Sequence, residues 1–430
     1  MGTISKIHTR TNERLEAKGR VKQGRKAVWR YLTCVPRSAA IGLFLASAAS
    51  LSGQTFTLVA DTQTAVPDGT GTFSLFADAR TIAGGRIVFI GNDSALVPGI
   101  YSYQNGVLTV VADTHTFVPQ TSDTFTDFFD VSIDRGTVAF TGGWPGPGGG
   151  CSFSGSEGVF TRRLQGGAIR AVATSLTTDK NCFEGIDFEN QKVAVSGGVN
   201  PVDLFHNHGE SIMIIRRIDR PKVLVDTTTQ KPDGGTFVGY DQDLSLRDGG
   251  LLFTEIIPNT FGAVAGVYTI QTNGQALQLV ADQMTPVPEG TGDFNNFAGV
   301  DWDGAEVGFV GRNAANAAFL YAGTSPTDLH VVVDSSTPVP GESGATFSGV
   351  GNPIAYEGGV FVFEGFWSGG KTGLFTSQGG VVQAILKSGT ILDGHVVSDA
   401  FCGQGNKDGN QLLIKVLFQD STNGLYLVDL

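Results

Sequence analysis

The stretch His206-Asn207-His208-Gly209-Glu210 brings together the most reactive side chains of this sequence. Two histidines beside a carboxylate can bind a metal ion, or one imidazole can act as a general base. A His-x-His pair in a loop matches no closed zinc pattern, and a third ligand would have to come from elsewhere in the fold. The sequence therefore assigns no metal, and leaves open whether His206 and His208 form a site or lie on a polar exposed loop.

Two tryptophans, Trp144 and Trp367, stand in glycine-rich segments. An exposed Trp suits stacking on a sugar ring or contact with a partner protein. The alternative is that each ring packs over its own loop. Together with His206 and His208, these two residues are the ligand-binding candidates of the sequence.

If the protein were an enzyme, His206 or His208 would supply the acid/base, and Arg312 or Lys371 would hold an acidic sugar. The sequence contains no nucleophile motif, phosphate loop, nucleotide fingerprint or zinc signature. Cofactors are therefore left unassigned.

The cysteines number four, and Cys34 falls in a segment that export would remove. Cys151 and Cys182 are expected on the same side of neighbouring repeats, which predicts a disulfide between them. Cys402 is then expected to remain as a buried thiol.

Internal repetition provides the elements that must position these residues. The phrase Val-Ala-Asp-Thr recurs with variations about every fifty residues. Its copies are 58–62, 110–114, 224–227, 279–282 and 332–335, with degenerate copies at 171–174 and 384–387. A Pro/Gly turn and then an aromatic residue follow, giving the series Phe73, Phe125, Phe183, Phe237, Phe294 and Phe347, with Val396 in the last copy.

Each repeat reads as four short strands bounded by Gly, Pro, Asn and Asp, which predicts an all-β, seven-bladed β-propeller of four-stranded antiparallel blades. We letter the strands A (innermost) to D (outermost, the Val-Ala-Asp strand). The last repeat ends after strand C, so a strand at 54–61 is expected to complete it and close the ring. The blades are expected at about 73–113, 124–174, 182–226, 236–282, 293–334, 346–387 and 394–430.

Two of the recurring residues have structural explanations. The repeated Asp precedes a Thr- or Ser-containing turn and is expected to accept hydrogen bonds from it rather than bind a metal. The recurring Phe is expected to pack between blades. The repeat phrase and the strand pattern over 55–430 resemble bacterial secreted propellers of the TolB-like and uncharacterised extracellular repeat type. That resemblance implies a fold and no activity.

The first 53 residues read as a secretory signal segment, with a basic stretch and then an apolar run at 39–46 that is too short to span a bilayer. They hold ten Lys/Arg and two Glu, so residues 54–430 hold 19 basic and 39 acidic groups. Such an acidic body is a poor partner for nucleic acid. We expect a secreted or periplasmic protein without a membrane span in its mature chain, and a monomer because ring closure leaves no strand edge free.

The long B–C connections and the D–A connections emerge at one end of the predicted blades, where function concentrates. This favours an extracellular module that binds a glycan or a protein. The alternatives are a carbohydrate-active lyase or hydrolase using a loop His, and a purely structural envelope component.

Overall fold

The computed structural model describes residues 53–69, 71–146, 155–178, 180, 182–198, 210–216, 220–257 and 263–430. Over these residues the chain forms antiparallel β-strands joined by turns and contains no helix. No helix that could cross a bilayer therefore occurs in this part of the chain. The prediction of an all-β protein is confirmed.

The first three repeats each form a four-stranded sheet in which chain neighbours pair. Their strands are β2 (Phe73–Ala83), β3 (Arg86–Asp93), β4 (Pro98–Gln104), β5 (Val107–Asp113), β6 (Asp127–Asp134), β7 (Thr137–Pro145), β8 (Gly155–Arg163), β9 (Arg170–Thr174), β10 (Cys182–Glu189), β11 (Lys192–Gly198), β12 (Ser211–Ile215) and β13 (Pro221–Asp226).

The next two repeats have the same order, and a single bridge between Val264 and Phe297 joins their sheets. Their strands are β14 (Tyr240–Arg247), β15 (Gly250–Ile256), β16 (Val264–Gln271), β17 (Gln278–Asp282), β18 (Phe294–Trp302), β19 (Val307–Asn313), β20 (Ala318–Gly323) and β21 (His330–Val333). In the last two repeats strand A is interrupted. Their strands are β22 (Phe347–Val350), β23 (Ala355–Glu357), β24 (Val360–Trp367), β25 (Lys371–Gln378), β26 (Val381–Lys387), β27 (Ile391–Leu392), β28 (His395–Phe401), β29 (Lys407–Asp408), β30 (Gln411–Phe418) and β31 (Asn423–Asp429).

The first strand of the described chain, β1 (Thr55–Asp61), pairs with the last. It runs antiparallel to β31, with Thr55 opposite Asp429 and Asp61 opposite Gly424. Strand β1 therefore occupies the D position that the last repeat lacks. The pairing satisfies backbone groups that an exposed edge strand would leave open.

Aromatic clusters explain why the Phe series recurs. The first Phe of strand A meets an aromatic residue of strand C edge-on, with ring centroids 4.8 Å apart for Phe73–Tyr101 and 5.0 Å for Phe347–Phe375. Edge-to-face packing of this kind adds to the free energy of burial. A glycine on strand B makes room for the ring, since a Cβ at Gly365 would lie 2.4 Å from Phe347. The Phe series is buried, and Phe125 shares a core cluster with Val88 and Ile100 of the preceding repeat, as the prediction of packing between blades requires.

Two members of that series have a different register from the one expected. Val396 is 36% exposed and Val397 is fully buried, so Val397 is the packing residue and the expectation for Val396 was wrong. The cause is alternation along β28, where adjacent side chains point to opposite faces. Phe183 pairs opposite Gly197 as Phe128 pairs opposite Gly142, so Phe183 corresponds to the second aromatic of strand A rather than the first.

The repeated Asp of strand D caps the turn that follows it. In the second such turn, Asp113 Oδ1 accepts hydrogen bonds from the His115 amide (3.1 Å) and the Thr116 hydroxyl (2.6 Å), and the Asp113 amide donates to Thr116 Oγ1 (3.0 Å). Asp282 makes the corresponding bonds with Met284 and Thr285. The same pattern occurs at Asp61, Asp226 and Asp334. The predicted structural role of this Asp is confirmed.

Candidate functional site

The candidate site is the loop end, defined as the end of the sheets at which the D–A and B–C connections emerge. Most residues singled out from the sequence belong to it. His206, His208 and Cys151 lie outside the described residues, so their predicted roles remain predictions.

Trp144 and Trp367 are buried, at 1% and 4% exposure, which favours the alternative of local packing for each ring rather than an exposed stacking surface. Trp144 packs against Phe160 and Trp367 against Phe375, each with ring centroids 5.8 Å apart. Each Trp follows a buried Phe of the same strand by four residues, an even spacing that places both side chains on one face. That spacing was visible in the sequence and indicates burial.

Lys371 is held by an acidic partner. Its Nζ lies 2.9 Å from Glu342 Oε2, and Lys387 Nζ lies 2.9 Å from Oε1 of the same carboxylate. These hydrogen bonds from the two lysines lower the pKa of Glu342 to about 2. Arg312 is half-buried at the end of β19 and pairs opposite Ala318. The described structure records no contact between Arg312 and Lys371.

The two described cysteines differ in state: Cys402 is a free thiol and Cys182 is in a disulfide. Cys402 is a free, buried thiol, as predicted, and burial raises its pKa to about 12. Cys182 is disulfide-bonded. Its predicted partner, Cys151, lies outside the described residues, so this pairing stays a prediction.

Carboxylates that the sequence analysis missed line the innermost strands. Asp130 and Asp243 lie within an irregularity in the pairing of strand A, and Asp399 lies at the end of one. Burial raises the pKa of both Asp130 and Asp243 to about 7, and the charges of Asp241, Asp130 and Asp301 also raise the pKa of Asp243. Carboxylates from different repeats therefore act electrostatically on one another.

Two further carboxylates of strand A, those of Asp187 and Asp301, link neighbouring repeats by hydrogen bonds. Asp187 Oδ1 accepts the Ser132 hydroxyl (2.8 Å) and its Oδ2 accepts the Leu246 amide (2.7 Å). Asp301 repeats the arrangement two sheets later, accepting the Ser245 hydroxyl (3.1 Å) and the Tyr356 amide (2.8 Å). Because the oxygens of Asp187 and Asp301 accept hydrogen bonds from neighbouring repeats, these two acids link adjacent sheets.

Arg247 belongs to the fourth repeat, between the third repeat, which holds Asp187, and the fifth, which holds Asp301. Its Nη1 is 3.7 Å from Asp187 Oδ2, and its charge partly offsets the burial that raises the pKa of Asp301 to about 6. Among the described residues, no three His, Cys, Asp or Glu side chains converge as a metal site would require.

Exposed apolar side chains are concentrated at the loop end. Of thirteen large hydrophobic side chains exposed in the described residues, nine lie in D–A or B–C connections or in the first three residues of a strand A. These nine are Leu75, Leu96, Phe117, Phe129, Leu176, Val238, Met284, Ile391 and Val396. The other four, Leu58, Val107, Val223 and Val381, lie on outermost strands.

Phe117 and Met284 are the most exposed of the nine, at 68% and 77%. Met284 lies inside the turn capped by Asp282, to which its amide donates, and Phe117 directly follows Thr116 of the turn capped by Asp113, so both residues lie in or next to a capped turn. Phe117 also borders a surface cavity of about 440 Å³ that Arg162 and Ile169 help to line. Exposed apolar side chains grouped on one surface mark interaction sites.

Comparison with family models identifies the chain over residues 39–393, which match a family of unknown function, DUF7453. The chain belongs to this family. No curated protein is significantly similar to the sequence.

Solved structures similar to this member of DUF7453 are β-propellers. The β-propeller domain of the trilobed protease from Pyrococcus furiosus is 12% identical, with a TM-score of 0.50 over 84% of this chain and 95% of that one. A prolyl endopeptidase is 12% identical, with a TM-score of 0.52 over 86% of this chain and 47% of that one. An acylaminoacyl peptidase is 12% identical, with a TM-score of 0.51 over 83% and 51%.

The chain thus spans about half the length of these two peptidases. At this identity the comparisons establish the β-propeller fold, which confirms that part of the sequence prediction. The fold by itself assigns neither binding nor catalysis, because propellers carry both.

Proposed function

We propose that this DUF7453 member is a secreted, seven-bladed β-propeller, closed by β1, that binds a partner protein through its loop end. The observation that carries the proposal is the concentration of exposed apolar side chains there, nine of the thirteen in the described residues. Single exposed hydrophobic residues scattered over a surface are ordinary in folded proteins. Exposed hydrophobic residues grouped at one end of the sheets are typical of an interaction site.

Contacts between the last and first repeats support ring closure. Asp408 Oδ2 accepts the Gly84 amide (2.5 Å), and the Thr81 hydroxyl donates to the Gly405 carbonyl (3.2 Å). The first of these bonds repeats a link found between consecutive repeats, where Asp303 accepts the Gly359 amide (3.2 Å). The last repeat therefore meets the first through the same type of bond that joins internal neighbours.

The chemistry of the loop end favours a protein over a glycan. Sugar rings are bound by exposed Trp and Tyr faces. Trp144, Trp302 and Trp367 are buried, and the described tyrosines are buried or half-buried. The exposed set is mainly aliphatic, with Phe117 and Phe129 as its aromatic members, and such side chains fit the apolar centre of a protein interface.

Polar groups around these side chains suit the rim of an interface. Lys371 and Lys387 share the carboxylate of Glu342, which lies in a D–A connection. Ion pairs at a rim contribute to orientation and rate of association more than to affinity.

Export is supported by two features. The first 53 residues carry the pattern of a secretory signal. Cys182 is disulfide-bonded, as is usual for proteins of oxidising compartments.

The test uses a photo-crosslinking amino acid placed at Phe117 or Met284 in the secreted protein, with the equally exposed Val107 and Val381 of outer strands as controls. Crosslinks to one protein from the two loop-end positions alone are expected. Purified partner should then bind wild-type protein, and Phe117→Asp with Met284→Asp should weaken binding at least tenfold. Val107→Asp with Val381→Asp should leave it unchanged.

A polysaccharide array, scored for retention and for newly formed chain ends, tests the other possibilities. Glycan retention that Phe117→Asp does not alter would contradict the proposal. Turnover that is lost in His206→Ala/His208→Ala would make the protein a carbohydrate-active enzyme.

A further inference from the structure

A basic cavity lies where the C–D connections of the third and fourth repeats meet, on the side of the sheets opposite the loop end. Its volume is about 330 Å³, and it is lined by Ile214, Arg216, Arg220, Lys222, Thr272 and Asn273. Ile214 and Thr272 are buried and form its base, whereas the three cationic side chains are exposed.

Thr272 is the point on which two cations converge. Arg216 Nη2 donates to the Thr272 carbonyl (3.1 Å) and hydroxyl (3.2 Å). Lys192 Nζ, from the A–B hairpin of the third repeat, donates to the same hydroxyl (3.4 Å). Lys222 Nζ donates to the neighbouring Asn273 carbonyl. These bonds fix the cations in place with neutral acceptors, so their positive charges are not cancelled.

Within the described residues, none of Lys192, Arg216, Arg220 and Lys222 lies in an ion pair with a carboxylate. Residues 54–430 carry 39 acidic groups and only 19 basic ones, and four of those basic groups gather at this one place. Like charges gathered without counter-charges repel one another. A bound anion would remove that repulsion.

We propose that this cavity binds a polyvalent oxyanion, a phosphate or sulfate group, through its lining residues Arg216, Arg220 and Lys222. Lys192, bound to the Thr272 hydroxyl, adds a fourth positive charge beside them. Charges of this number match a divalent anion better than the single charge of a carboxylate. Arginine presents several N–H donors in a planar fork, which suits the oxygens of phosphate and sulfate. The Arg216 contacts described above use Nη2, so Nε and Nη1 keep N–H groups whose hydrogen bonds an anion can accept.

The site is separate from the surface proposed for partner binding, because C–D connections leave the sheets at the other end from D–A and B–C connections. Loss of one site should therefore leave the other intact.

Isothermal titration of the secreted protein with inorganic phosphate, sulfate and acetate, at constant ionic strength in chloride, tests the proposal. Saturable binding of phosphate or sulfate is expected, with acetate at least tenfold weaker. The anion that binds more tightly, phosphate or sulfate, shows which of the two groups the natural ligand carries. A ligand that binds only the native state also raises the melting temperature, which gives a second measurement.

Arg216→Ala and Arg220→Ala are each expected to weaken anion binding at least tenfold and to abolish the thermal shift. Arg170→Ala is the matched control, since Arg170 is an exposed arginine at the start of strand D in another repeat. The proposal is overturned if wild-type protein shows no saturable binding, if acetate binds as well as phosphate and sulfate, or if the two variants bind like the control.

Discussion

The carboxyl group of Glu364, on β24 of the sixth repeat, hydrogen-bonds the carboxylate of Asp399, on β28 of the seventh. Glu364 is 6% exposed. Asp399 Oδ1 also accepts the Thr372 hydroxyl and the Ala400 amide, each at 2.9 Å. Two acids can share a hydrogen bond only if one is protonated, and burial with the adjacent Asp399 charge raises the pKa of Glu364 to about 8.

This pair predicts how stability depends on pH. Between the usual Glu pKa of 4.5 and about 8, folded protein keeps a proton that the unfolded chain has released. The unfolding free energy must therefore fall as pH rises through that window. Glu364→Gln keeps an N–H donor for Asp399 and cannot titrate. Its unfolding free energy, measured by urea denaturation, should therefore decline less than that of wild-type protein between about pH 5 and about pH 8.

Glu342→Gln is the opposing control. Its two lysine partners lower the pKa of Glu342 to about 2, so its contribution is present above the usual pKa of 4.5 and is lost as pH falls toward 2. The substitution should reduce the acid-side slope and leave the slope above neutrality unchanged. Identical pH profiles for Glu364→Gln and wild-type protein would refute the shared proton.

The capped turns predict a second measurable effect. Asp282 is largely buried and its carboxylate accepts bonds from the Met284 amide and the Thr285 hydroxyl. Asp282→Ala leaves these donors unsatisfied and should cost about 1–3 kcal/mol of unfolding free energy. Asp233, an exposed turn residue, is the control, and Asp233→Ala should change stability by less than about 0.5 kcal/mol. Equal effects would show that the turn bonds are not what stabilises this connection.

The close packing of the Phe347 ring against Gly365 of strand B leads to a third prediction, on stability. A Cβ at Gly365 would lie 2.4 Å from Phe347 Cε1, so Gly365→Ala should displace the ring and cost about 1–3 kcal/mol. A Cβ at Gly349, which also lacks a positive φ, would meet its nearest atom at 3.6 Å. Gly349→Ala should therefore be tolerated, and a thermal melt of both variants compares them directly.

The sequence allowed the elements that depend on local repetition to be predicted. The Asp turns form within four residues, so the repeated phrase was enough to indicate their hydrogen bonds. Whether Trp144 and Trp367 are exposed or packed was left open, although strand alternation favoured the buried alternative that the structure has. The Glu364–Asp399 pair and the link from Ser132 to Asp187 depend on how separate sheets face each other, and nothing in local spacing specifies that.

The predicted disulfide is open to direct measurement. Cys182 is bonded, and pairing with Cys151 would close a loop of about thirty residues, which is worth roughly 4 kcal/mol in the chain-entropy account. Cys151→Ser and Cys182→Ser should then lower stability equally, and the double variant should be no worse than either. Peptide mapping without reduction should recover the linked pair. Unequal single variants or a different linked peptide would rule out this pairing.

The proposed ring closure by β1 leads to the last prediction. Strand β1 covers β31 over the whole register from Thr55 to Asp61, and Val59 and Ala60 are buried in the core of the first repeat. Protein starting at residue 62 would expose the β31 edge and that apolar surface, whereas protein starting at residue 54 retains both. The shorter form should melt at a lower temperature and self-associate in sedimentation experiments, because an open strand edge pairs with other chains. A synthetic peptide of residues 54–61 should reverse both effects, whereas a peptide in which Val59 and Ala60 are replaced by Asp should not. If both forms melt at one temperature and remain monomeric, closure by β1 contributes nothing to the ring.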